Sequence, residues 1–174
     1  MANNNIVGHA KTLFIAGLRD AHAMECQAQE MLERQISRLR HYPRVEDRLR
    51  THLQETAEQI RRLDEALNVV GESRSALKDP AMPLAGNSTA PFQSLAGDAI
   101  VRNVLASYAF EHFEIASYES LLAMAEAAKQ MSCIGFLRPS LHEERAMADW
   151  LAEHLREVTL RHLELSAENI EASR

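Results

Sequence analysis

The chain has 174 residues, of which 46% are hydrophobic and 25% charged, with only six glycines and five prolines. That is the size and make-up of a single domain, 1–174, able to bury a core without staples, and the scarcity of Gly and Pro favours helices. A net charge of −6 with acids and bases interspersed leaves no footprint for nucleic acid, and no apolar run is long enough to cross a bilayer.

The first predicted helix covers about 6–40. Leu18, His22, Glu25, Gln29, Leu32, Ile36 and Leu39 recur in steps of four and three, and the pattern stops at the turn His41-Tyr42-Pro43. The second, about 44–70, carries Leu49, Leu53, Thr56, Ile60, Leu63, Leu67 and Val70, with Gly71 as its stop. From Lys78 to Gly97 the periodicity lapses, and Pro80, Pro83 and Pro91 forbid a long helix, so this stretch reads as a crossover connection. Asp98 suits the N-cap of a third helix, about 98–129, along Val101, Val104, Tyr108, Glu111, Ile115, Tyr118 and Leu122. A fourth, about 136–168, follows Leu137, Leu141, Glu144, Ala148, Leu151, Leu155, Val158, His162 and Leu165, with Pro139 expected in its first turn or in the link before it. Two short links and one long one give an all-α four-helix bundle with a single long crossover between the second and third helices, the ferritin-like arrangement.

Carboxylates interrupt these apolar stripes at one height. Counted from the turn near Tyr42, Glu25 is 17 residues back and Glu55 13 forward. At about 1.5 Å per residue their levels differ by about 6 Å. From the turn near Gln130, Glu114 is 16 residues back and Glu144 14 forward, with Glu111 one turn beyond Glu114. Burying one unpaired carboxylate costs several kcal/mol, and several converging add repulsion that only cations or protons remove. A pair of metal ions answers this best, and hard oxygen donors suit iron or manganese. The expected ligands are therefore Glu25, Glu55, Glu111, Glu114 and Glu144. Glu58 reads as an exposed alternative to Glu55, and Gln59 as a donor to Glu55 or a surface residue. His52 and His112 read as ordinary surface or satisfied histidines, and Tyr108 and Tyr118 as core residues whose hydroxyls need partners.

Four stretches, LFIAGLRDAHAMECQ, HLQETAEQIRRL, FEHFEIASY and LHEERAMADWL, carry a resemblance to the YciF/YciE family of bacterial stress proteins, a ferritin-like group related to rubrerythrins. The resemblance implies a dinuclear site, usually assigned to iron, at those five glutamates, and a homodimer. Two departures stand out. Ferritin-like di-iron enzymes carry Glu-x-x-His on the second and fourth helices, whereas here Glu55 is followed by Glu58 and Glu144 by Met147. Two cysteines, Cys26 and Cys133, also cannot build a four-thiolate iron centre, so electrons must come from outside.

The two cysteines fit neither a disulfide framework nor a C-x-x-C metal site, and the N-terminal stretch holds no apolar secretion core, so the expectation is a cytoplasmic chain. Three functions remain open: an iron ferroxidase or oxidoreductase that consumes hydrogen peroxide or oxygen, a metal-stabilised stress protein without turnover, and a manganese catalase-like enzyme.

Overall fold

The computed structural model describes residues 2–72 and 99–168. Four long helices account for nearly all of them: α1 Ala2–Ile36, α2 Pro43–Val69, α3 Ala99–Ala127 and α4 Ile134–Ala167, with a short 3-10 turn at Met131–Cys133 before α4. There is no strand among the described residues. The expected N-cap at Asp98 and the crossover read over 78–97 lie outside the described residues.

Cross-helix pairs fix the directions. Glu25 meets Tyr118 and Gln35 meets Ser107, so α1 and α3 are antiparallel. Arg19 with Glu72 and His22 with Asp64 make α1 and α2 antiparallel, while Gln59 with Glu144 and Arg62 with Ser140 do the same for α2 and α4. With α2 and α3 both opposed to α1, the end of α2 and the start of α3 lie at opposite ends of the bundle, as a lengthwise crossover requires.

The helix ends follow from local chemistry. Pro43 opens α2 at its first position, where the missing N–H costs no hydrogen bond. Helix α1 stops at Ile36, short of the expected 40, because the chain then reverses through tight turns in which Arg38, Leu39 and Tyr42 donate to Gln35, Ile36 and Leu39 at 2.9–3.3 Å. Leu39 and Tyr42 remain buried, which is why the apolar pattern outruns the helix. Pro139 lies in the second turn of α4 rather than in its first turn or before it: the 3-10 turn lets the helix start at Ile134, and the ring removes only the bond that would reach back to Gly135.

Gly71, at φ 89°, closes α2 with a Schellman pair: Glu72 N–H reaches the Leu67 carbonyl at 3.0 Å and Gly71 N–H that of Asn68 at 3.1 Å. A Cβ at Gly71 would meet nothing within 4 Å. Gly71→Ala is therefore expected to destabilise the protein through backbone conformation alone, by about 1 kcal/mol, measured by urea denaturation; no change in midpoint would remove this account of the stop.

Two apolar clusters fill the bundle. One is built around Phe14, Leu18, Leu63, Tyr118, Leu121 and Leu137, the other around Leu32, Leu49, Val104, Met147, Leu151 and Leu165. Between them lies a layer of buried polar side chains: Glu25, His52, Thr56, Gln59, Glu111, Glu114 and Glu144. The seam of α2 differs from the expected one by a residue at two points. His52 and Gln59 are buried, whereas Leu53 and Ile60 are only half-buried, because 49, 52, 56, 59 and 63 form the inward line.

Candidate metal centre

Three of the long helices deliver carboxylates to this layer, and α2 delivers an imidazole. Glu25 comes from α1, Glu111 and Glu114 from successive turns of α3, and Glu144 from α4; all four are at most 2% exposed. His52 and Glu55 come from α2, the first buried and the second with a side chain 27% exposed. One ligand atom each from His52, Glu111, Glu114 and Glu144 lies within 4.8 Å of the other three.

The surrounding bonds orient these groups. Tyr118 donates its hydroxyl proton to Glu25 Oε1 at 2.7 Å, answering the need for a partner seen in the sequence. Gln59 donates its amide to Glu144 Oε1 and, at 3.0 Å, to Glu143 Oε2, which a two-pronged Arg62 holds at 2.7 and 2.8 Å. Gln59 thus serves Glu144, not Glu55. His52 Nδ1 is 2.9 Å from Glu55 Oε2, which also accepts from Arg48 at 3.0 Å. That leaves His52 Nε2 facing Glu111 at 3.3 Å and Glu144 at 3.5 Å.

Bonding inside the layer is incomplete. Glu25 Oε2, Glu111 Oε2, both oxygens of Glu114 and Glu144 Oε2 are buried with no hydrogen-bond partner. Burial therefore raises the Glu25 carboxyl from 4.5 to about 8, against the Tyr118 bond and the His52 charge, which lower it. Burial, then Glu25, raises Glu114 and Glu144 well above the usual carboxylate range. For His52, burial works against the charged ring, but Glu111 and the other carboxylates win and lift it to about 10. Glu55 is held low, chiefly by the His52 bond. The cluster keeps protons where free carboxylates would have lost them, the signature of acids forced together in a dry interior.

The structure thus brings together Glu25, Glu111, Glu114 and Glu144 in the buried layer and puts Glu55 at its edge, turned to Arg48 and His52. Glu58 faces outward, paired to Arg61, and His112 is exposed, edge-on to Tyr108 at 4.6 Å. The residue missed by sequence reasoning is His52. An imidazole does enter the layer, in the order His52-x-x-Glu55 rather than Glu-x-x-His. The signal available was its place three residues after Leu49 and four before Thr56.

A family model described as a domain of unknown function, DUF892, matches residues 9–164. A solved protein of Xanthomonas campestris is 30% identical, with a TM-score of 0.75 over 91% of this chain and 99% of that one. YcfI of Rhodopseudomonas palustris is 28% identical, with a TM-score of 0.66 over 82% and 92% of the two chains. The E. coli stress protein YciF shares the fold at 22% identity, with a TM-score of 0.67 over 84% and 94%.

Proposed function

The chain belongs to the DUF892 family, and we propose that its buried acidic layer holds two metal ions, iron in the first place and manganese as the alternative, in a stress-response protein that consumes hydrogen peroxide or oxygen. The observation that carries this reading is the set of five buried carboxylate oxygens without a hydrogen-bond partner, two of which have only the single His52 ring nitrogen beside them. Leaving them so in a packed core costs several kcal/mol, and two divalent cations balance four carboxylates. Oxygen donors with one imidazole are the set that iron and manganese accept. Glu25, Glu111, Glu114, Glu144 and His52 would hold the ions, with Glu55 at the edge either joining them or orienting His52.

Two irons there would supply the two electrons that reduce one peroxide. The chain's own residues prepare for it. Tyr118 and Gln59 hold Glu25 and Glu144 in fixed rotamers, Glu55 and Arg48 set the His52 ring, and the apolar clusters on either side exclude water. Glu114, whose oxygens accept from no donor outside the carboxyl cluster, has the most freedom to change its binding mode.

The second reading, a metal-stabilised protein without turnover, is favoured by how completely Glu25, Glu114 and Glu144 are enclosed, at 0–1% exposure. Metal content of protein purified without chelator, followed by stopped-flow mixing of the ferrous form with each oxidant, separates the two. Two ions per chain and faster oxidation by peroxide than by oxygen are expected. Rates no greater than for free ferrous iron would leave only the second reading, and steady peroxide disproportionation by the manganese form would point to a catalase.

The homodimer belongs to the same reading. Its support is the α1–α3 groove of about 370 Å³ lined by Gly17, Ala116, Ser117 and Phe113, with Leu13 and Phe113 exposed at 47% and 41%. Light scattering at micromolar concentration should give a dimer, and Phe113→Glu a monomer that still binds metal. A wild-type monomer would reject the assignment.

A further inference from the structure

Outside the acidic layer, on the seam between α1 and α2, three chemically different side chains stand in a row. His22 Nδ1 is 3.7 Å from Cys26 Sγ, one turn further along α1, and His22 Nε2 is 3.3 Å from Asp64 Oδ1 on α2. The His22 side chain is 16% exposed and Cys26 is half-buried, while Asp64 behind them is buried, its side chain 11% exposed. We propose that this row is a second, separate metal site, in which His22 Nδ1 and Cys26 Sγ ligate a single zinc-like divalent ion and Asp64 orients the imidazole.

The geometry selects the kind of ion. A tetrahedral ion with metal–nitrogen and metal–sulfur bonds of about 2.05 and 2.3 Å holds its two ligand atoms about 3.5 Å apart, whereas a linear two-coordinate ion would need them about 4.4 Å apart. The observed 3.7 Å lies close to the first value and far from the second. The spacing of four residues on a helix puts both donors on one face, so the chelate needs no change in the backbone. Asp64 on Nε2 favours the tautomer whose free lone pair is on Nδ1, the arrangement found behind most metal-bound histidines. On binding, the ion takes the place of the Cys26 thiol proton, which passes to water. Solvent would occupy the two remaining coordination positions, so the ion exchanges readily.

Cobalt(II) is the probe, because a thiolate bound to it gives a charge-transfer band that the carboxylate centre cannot produce. Reduced, chelator-stripped full-length protein titrated with cobalt should develop that band to a limit of one thiolate-bound cobalt per chain, beyond the ions that the carboxylate centre takes up. Cys26→Ser should abolish it, Cys133→Ser should leave it, and Asp64→Asn should weaken cobalt binding by about 10–100-fold with the band retained. No band at saturating cobalt, or a band that survives in folded Cys26→Ser, overturns the proposal. Should that variant fail to fold, alkylation of the wild type decides: zinc(II) must slow modification of Cys26, and an unchanged rate rejects the site.

Discussion

Replacing Glu144 is expected to change metal binding and apo-protein stability in opposite directions. Glu144→Ala should lose most of the bound metal while keeping a helical spectrum, since Glu144 faces His52 from inside the layer and its second oxygen has no other partner. Glu144→Gln isolates the electrostatics, because its carbonyl can still accept the Gln59 amide that now binds Oε1. In the metal-free protein the carboxyl at this position is held well above its ordinary range by burial and by Glu25. Holding the acid protonated against its ordinary tendency, or ionised without a partner, costs stability at neutral pH, and the neutral amide escapes that cost. Metal-free Glu144→Gln should therefore melt several degrees above the metal-free wild type, while its metal content falls. A residue whose loss stabilises the empty fold is retained for something other than folding. Unchanged metal stoichiometry in Glu144→Ala, or a metal-free Gln variant less stable than wild type, would count decisively against the proposed centre.

The fold was legible because apolar periodicity and punctuation agreed: Pro43 and Gly71 fall at the first position and just past the end of α2, and the short links impose antiparallel neighbours. The buried carboxylate layer was legible as far as height along the helices decides it, which is why Glu25, Glu111, Glu114 and Glu144 were expected near one level and are buried together. Rotation about the helix axis was harder. Hydrophobicity alone drew the α2 stripe through Leu53 and Ile60, and the α3 stripe through Val101, Tyr108, Ile115 and Leu122, each next to the residue that points inward. On α3 the inward line is Val104, Ser107, Glu111, Glu114, Tyr118 and Leu121, so Glu114 lies on the seam, not beside it. The bias has a physical source. Where a bundle buries polar side chains, the inward line is polar, and the flanking apolar residues, packed sideways against neighbouring helices, look like the core. His52 and Gln59 were hidden by that substitution, as was the dependence of His52 on Glu55.

The same buried acids set the pH response. The metal-free protein should grow steadily less stable as pH rises above about 4.5. Glu25 has its folded pKa raised to about 8 from an unfolded 4.5, so its contribution is complete below 4.5 and is lost as pH climbs through 8. His52, raised to about 10 from 6.5, contributes in full below 6.5 and loses that contribution as pH passes 10. Both slopes have the same sign, and each group in its window removes about 1.4 kcal/mol per pH unit. Glu55, whose pKa is lowered, acts oppositely, but only as pH falls below its ordinary value. Metal reverses the trend, because ions need the carboxylates deprotonated and compete with the protons that burial retains. At pH 5 added ferrous or manganous ion should hardly move the melting temperature; at pH 8, where the empty layer is markedly less stable, the same ion should raise it far more. Melting curves of chelator-treated and metal-loaded protein across pH 5–9 provide the measurement. A metal-free protein whose stability is flat or rises over that range would mean that the carboxylates are not held protonated in the fold, and the case for an ion-pair-seeking core would go with it.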